Sequence, residues 1–324
     1  MKTWFAGELL MRLECENQER FGQDGRFRIR YTGAEANAAA AMAALGATEL
    51  ALISAVPDNP IGRSCLASFR ALDIDTSHVL KRDPAGRLGL FFLETGAGLR
   101  PSQVVYDRAG SVFSQTPAEA YQLDGLFSAS DWVHFSGTMP ALGPAPLKLA
   151  RELIRAAKRA GATVSFDLNY RAKLWREEEA AKLFCEIAQE IDVLIGNLSV
   201  AEHFLGGRAD QLCERYHLKC AALTLRGAES ADSTEFGGAL YRDDGSHCEV
   251  APARIPVTDR IGGGDAFAGA MIYALEQPEW DDAQRVRFAV ACGALKHSIR
   301  GDFSLSTREE VEACARGESF AVKR

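Results

Sequence analysis

The chain is 324 residues long, 47% hydrophobic and carries a formal charge of −7, enough for one large α/β domain or one domain with an appendage. The negative balance, with no basic cluster to offset it, argues against nucleic acid as the main partner, so an anionic ligand must be met by local positive groups. No apolar run approaches about 18 residues, the opening MKTWFAGELL lacks the long apolar stretch of a signal peptide, and the eight cysteines contain no C-x-x-C pair; the expectation is a cytoplasmic protein with reduced thiols, no membrane partner and no metal held by protein side chains.

In chain order, residues 9–32 are rich in charge and contain the strand-like RFRIRYT. The run TELALISAV (48–56) reads as a buried strand. Residues 86–115 return to mixed character, with GRLGLFFLET, a turn-rich GAGLRPSQ and VVYDRAG; the segments 9–32 and 86–115 together are expected to form a small β appendage on a domain spanning 1–324. Further strands are expected at DWVHFSG (131–137), TVSFDLN (163–169), DVLIGN (192–197) and AALTLRG (221–227), with helices between them. One such helix is 145–160, where Leu149, Leu153, Ala156 and Ala160 recur at helical spacing and Gly161 closes the end. This alternation predicts a mainly parallel sheet covered on both faces. Ligands in such sheets collect at the carboxyl ends of the strands, where DLNYR, GN and TLRG all fall.

The stretch IGGGDAFAGA (261–270) places three glycines before Asp265 and an apolar helix running from Ala266 to Leu275. Free N–H groups and the positive end of the helix dipole make such a turn a receptor for an anion such as phosphate. Asp265 in that field is expected to stay ionised and to accept a proton from a substrate hydroxyl. A flexible turn with Asp265 as helix N-cap fits these ten residues equally well. The spacing fits neither the dinucleotide fingerprint nor the Walker A loop.

The segments GAEANAAAAMAALG (33–46), DLNYR (167–171), TLRGA (224–228) and DRIGGGDAFAGA (259–270), in this order, closely resemble the ribokinase or PfkB family of sugar kinases over nearly the whole chain. VPDNPIG, RPSQVVYDRAGSVFS, FSGTMPAL, FDLNYRAKLW and KHSIRGDF resemble its 2-keto-3-deoxygluconate kinase branch. The resemblance implies a ribokinase-like three-layer αβα sandwich with a small β-sheet lid. It implies transfer of the γ-phosphoryl of ATP, with Mg²⁺ and room for a monovalent cation, to the terminal hydroxyl of a sugar acid, and a homo-oligomer formed through the lid. Gly262, Gly263 and Gly264 correspond to the family's anion hole, where glycine lets backbone touch phosphate, and Asp265 to its base. Gly33 and Asn37 correspond to sugar-hydroxyl contacts. Tyr106, Arg108, Asn169 and Arg171 correspond to residues that bind substrate carboxylate, sugar or phosphate. Phe91 stands where some relatives have a substrate-facing tyrosine. Asn197, Thr224, Arg226 and Gly227 fall beside the nucleotide phosphates, and Lys296 and His297 at the expected adenine site.

Two positions depart from the family pattern. Its double glycine reads Thr32-Gly33, and its N-x-x-E motif, which helps organise Mg²⁺, reads Asn197-Leu198-Ser199-Val200; Glu202, two residues on, turns about 200° away on a helix. The alternatives are a PfkB kinase for fructose, another ketose or another keto-deoxy acid, and a weakly active sugar-binding regulatory homologue.

Overall fold

The structure is a computed structural model that describes residues 1–23 and 25–318; Asp24, within the first appendage segment, and residues 319–324 lie outside the described residues. In chain order its strands are β1 (Thr3–Ala6), β2 (Leu10–Cys15), β3 (Phe27–Thr32), β4 (Leu50–Pro57), β5 (Val79–Arg82), β6 (Gly89–Glu94), β7 (Gln103–Asp107), β8 (Trp132–Ser136), β9 (Thr163–Asp167), β10 (Val193–Asn197), β11 (Cys220–Glu229), β12 (Ser233–Arg242) and β13 (His247–Pro256). Nine form one sheet in the order β13-β12-β11-β10-β9-β8-β1-β4-β5. From β11 to β5 every neighbour is parallel, and the edge hairpin β12–β13 is antiparallel.

Strand alternation divides the core in two. On β10, Leu194 joins one apolar cluster while Val193 and Ile195 join the other, and on β11 Ala221 and Leu223 separate from Ala222 in the same way. Both faces are therefore buried, which is why these strands read as unbroken apolar runs. One face is covered by helices Pro144–Ala160, Glu177–Ala188 and Leu198–Leu205, the other by Ala34–Ala44, Gly263–Leu275 and Asp282–Lys296. Helix Pro144–Ala160 begins with proline in its first turn and ends at Gly161 with φ +78°, the stop that the sequence indicates. The helices Ala34–Ala44 and Gly263–Leu275 approach so closely that a Cβ on Gly269 would lie 2.3 Å from the Ala38 carbonyl oxygen. Only a helix built almost wholly of alanine allows this, and it carries Asn37 to the start of its neighbour.

The remaining four strands form a second sheet in the order β3-β2-β6-β7. Its inner face buries Leu10, Phe91 and Leu93, with Tyr106 and Ile261 packed against them. On its outer face Ile29, Leu13, Phe92 and Val105 lie opposite one another across all four strands, and Ile29 and Val105 are 55% and 51% exposed. The four-residue β1, inside the large sheet between β8 and β4, and the hairpin β12–β13 at one edge are elements that the strand patterns above do not include.

Candidate active site

Gly262 has φ +87°, a left-handed backbone that favours glycine, and helix Gly263–Leu275 begins directly after it. The N-cap is thus Gly262, and Asp265 sits within the first helical turn. A Cβ on Gly262 would lie 2.0 Å from the Asp302 carbonyl oxygen, and one on Gly263 would lie 2.3 Å from His297 Cε1. These two glycines are demanded by what packs behind the turn, rather than by an approaching phosphate. Gly264 differs, since its nearest neighbour would be Arg226 Nη2 at 3.5 Å, and it leaves the turn open towards the cleft. The Ala266 N–H makes the first intrahelical bond, to Gly262 O at 2.8 Å. The N–H groups of Gly264 and Asp265 ahead of it have no carbonyl partner in the helix and point with its positive dipole end.

Asp265 Oδ2 accepts a 2.7 Å hydrogen bond from Asn37 Nδ2. The Thr32 hydroxyl lies 2.9 Å from Asn37 Oδ1 and 2.5 Å from Asp302 Oδ2, so the residue in place of the family's first glycine ties helix Ala34–Ala44 to the loop behind the turn. Arg12 of β2, fully buried, bonds Asp302 and reaches Asp259 Oδ2 at 2.7 Å and Glu14 at 3.0 Å. Burial pushes the Asp265 carboxyl up from 3.8 to about 6, against the pull of the Asn37 hydrogen bond and the Arg171 charge. Desolvation thus outweighs these stabilising contacts, yet at about 6 the group remains largely ionised near neutral pH.

The turn forms one wall of a cleft of about 320 Å³ at the carboxyl ends of β9, β10 and β11. Asp167 ends β9 and lines it; burial and the charge of Asp265 raise its carboxyl to about 7. Asn169, with φ +31°, donates its N–H to Asp167 Oδ1 and brings Arg171 round into the cleft. Arg171, Arg226 and Arg260 all line this space. Burial lowers the Arg226 pKa and the charges of Arg171 and Arg260 lower it further, while Glu229 opposes them. Three guanidinium groups that crowd one another around a glycine turn form an anion site.

Asn197 caps helix Leu198–Leu205 by accepting the Val200 N–H at 3.3 Å. Val200 faces the cleft where the family motif places an acid, while Glu202 turns away and accepts the Ala209 N–H. Thr224 also lines the cleft. No cluster of three His, Cys, Asp or Glu side chains suited to a metal occurs among the described residues.

Other anticipated residues lie elsewhere. Phe91 and Tyr106 face each other under the small sheet, ring centres 6.3 Å apart. Arg108 is no free surface arginine: it is buried and its Nε bonds Glu8 Oε2 at 2.6 Å. Gly33 packs on the Glu8 carbonyl, where a Cβ would come within 2.5 Å. Gly227 lies outside the cleft against Glu235. Lys296 and His297, expected at the adenine site, do not line the cleft: both are buried beneath the turn, Lys296 on main-chain carbonyls and His297 with Nδ1 on Gly293 O at 2.7 Å. Their helix ends under the turn, which the sequence distance alone does not reveal. Asp167, Arg260, Asp302 and Arg12 are the residues not singled out from sequence. The first three stand inside quoted motifs; Arg12 gives no signal, because its partners are 247 and 290 residues away.

A family profile described as pfkB family carbohydrate kinase matches residues 5–305. A 2-dehydro-3-deoxygalactonokinase of Haloferax volcanii is 30% identical over 98% of each chain. A 5-dehydro-2-deoxygluconokinase of Clostridium perfringens is 27% identical over 83% of this chain and 80% of its own. The solved structure of a 2-dehydro-3-deoxygluconokinase from Thermotoga maritima superposes with a TM-score of 0.92 at 35% identity, covering 98% of this chain and 100% of that one. The architecture is ribokinase-like.

Proposed function

The chain belongs to the pfkB family of carbohydrate kinases, and on that premise we propose that it phosphorylates the terminal hydroxyl of 2-keto-3-deoxygluconate. The observation that carries the reading is a buried carboxylate, Asp265, in one cleft with an open glycine turn and three arginines. Asn37 occupies Oδ2 of Asp265 and leaves the other oxygen to take the proton of the acceptor hydroxyl. The turn's unpaired N–H groups, with Arg226 beside them, hold the phosphoryl oxygens in place, which is the larger part of this chemistry. ATP with Mg²⁺ supplies the phosphoryl group and neutralises its charge. The donor set suits a magnesium carried in on phosphates, since Asp167 and Asn197 offer one carboxylate and one amide rather than a protein cage; these two residues would hold it. Arg171 in the cleft supplies the charge for a sugar acid, and Arg108 under the small sheet, its charge balanced by Glu8, adds the guanidinium N–H groups that Glu8 leaves free.

The proposal includes a cytoplasmic setting, in which the eight unpaired cysteines stay reduced. It also includes a dimer formed through the outer face of the small sheet, along the apolar row of Ile29, Leu13, Phe92 and Val105. Sedimentation of the Ile29→Lys, Val105→Lys double variant should show a monomer, while an unchanged mass removes this surface. The function is tested by ADP release with 2-keto-3-deoxygluconate, its galactonate epimer, fructose, ribose and a nucleoside. A keto-deoxy acid should lead the neutral sugars by about a hundredfold in kcat/KM, the scale of one or two charge-assisted bonds. Fructose as the better acceptor overturns the reading.

A further inference from the structure

Beneath the glycine turn lies a buried cation for which the proposed reaction has no use. Lys296 closes helix Asp282–Lys296 and is 0% exposed. Its Nζ donates to the main-chain carbonyls of Asp259, at 3.0 Å, and Ile299, at 3.1 Å. The first carbonyl belongs to the loop that enters the turn, the second to the loop that leads to Asp302. The same two loops meet through the Thr258 and Asp259 N–H groups on His297 O, at 2.8 and 3.1 Å, and through the Gly301 N–H on Asp259 Oδ2, at 2.9 Å. Burying an ammonium is costly unless it is paired. Asp259, Asp302 and Asp265 oppose that cost here, while Arg12 adds to it. Main-chain carbonyl oxygens that converge on one point are also the ligands that suit a desolvated alkali or ammonium ion.

We propose that Lys296 is a built-in monovalent cation, a positioning residue whose ammonium joins Asp259 O to Ile299 O and so holds the turn's N–H groups in place. The enzyme therefore needs no potassium or ammonium from solution. A variant without the amine exposes the two carbonyls to a free cation and becomes dependent on one. This rests on the reading of the glycine turn as the phosphoryl site.

The test compares wild type, Lys296→Ala and Lys296→Met in potassium, ammonium, methylammonium and tetramethylammonium chlorides at one ionic strength. ADP release and Tm are both recorded. Wild-type kcat should stay within about twofold across the salts. Each variant should lose at least about tenfold in kcat in tetramethylammonium, with the sugar KM little changed. Potassium, ammonium or methylammonium should restore kcat severalfold and raise Tm; tetramethylammonium, too large to enter, should do neither. Activation of the wild type by potassium overturns the proposal, as does a folded variant that no cation rescues in rate or Tm. If neither variant folds, the wild-type series decides alone, a flat response supporting the proposal and activation overturning it. A wild type without kinase activity on any acceptor removes the functional reading instead, and the Tm series still reports on Lys296.

Discussion

Replacing Asp265 by asparagine should move activity and stability in opposite directions. The amide keeps the shape of the side chain and an oxygen for the Asn37 Nδ2 hydrogen bond, but it cannot take a proton. A positioned general base contributes roughly 10²–10⁴ in rate, so kcat should fall by that factor while substrates still bind. The rise of the carboxyl from 3.8 to about 6 means that the folded state holds this proton more tightly than the unfolded chain does. Ionised Asp265 thus costs stability above pH 6, the cost fades between pH 6 and pH 4, and it is absent below. At about 1.36 kcal/mol per pKa step the cost reaches on the order of 3 kcal/mol. With an unfolding entropy of about 2.1 cal/mol/K per residue, a chain of this length gains roughly 1.5 °C per kcal/mol, so Asp265→Asn should melt up to about 4 °C higher at pH 8. The gain should shrink to about half at pH 5. The assays are ADP release and scanning calorimetry at the two pH values. A variant that keeps a tenth of wild-type turnover refutes the base assignment, and one that melts lower at pH 8 refutes the argument from burial.

Arg108→Lys keeps a charge for Glu8 but loses the planar fork, so kcat/KM for the keto-deoxy acid should fall about tenfold or more with little change in Tm; an equal fall for fructose would place Arg108 in support of the lid instead. Val200→Glu returns a carboxylate to the cleft wall and should lower the Mg²⁺ concentration for half-maximal rate, which a magnesium titration checks; no change would show that Asp167 already suffices. The acid limb of the kcat profile should report the Asp265–Asp167 pair with an apparent pKa between about 6 and 7. Asp167→Asn removes a neighbouring negative charge, so that limb should move to lower pH; a shift to higher pH contradicts the coupling.

Local pattern made some parts of this molecule legible and left others silent. The central strands were readable because both faces are buried, and helix 145–160 because its apolar stripe and Gly161 are local signals. β1 is four residues long, too short for any period. The outer hairpin strand β13 has mixed, mostly exposed residues, so no stripe marks it. At the site, the glycine turn and Asp265 are contiguous in sequence, so ten residues mark the turn and its carboxylate, while the choice between an N-cap and an anion receptor needs the fold around them. Arg12, Glu8 and Asp302 act through partners brought together only by the fold, and no spacing encodes such pairs. Arg108 shows the risk of reading a charge without its partner, since Glu8 stands 100 residues away.

The span of the Arg12 contacts also bears on the order in which the molecule is made. Arg12 emerges from the ribosome 247 and 290 residues ahead of its partners Asp259 and Asp302. Until then the inner face of β2 carries a guanidinium with only Glu14 to balance it, and the glycine turn lacks the backbone that Asp302 presses against Gly262. The strands from β1 to β11 are all synthesised by residue 229, yet the glycine turn that completes the cleft is not. A chain that ends before residue 302 therefore lacks both the Asp302 carboxylate that pairs with Arg12 and the backbone that backs Gly262, so it cannot complete the glycine turn.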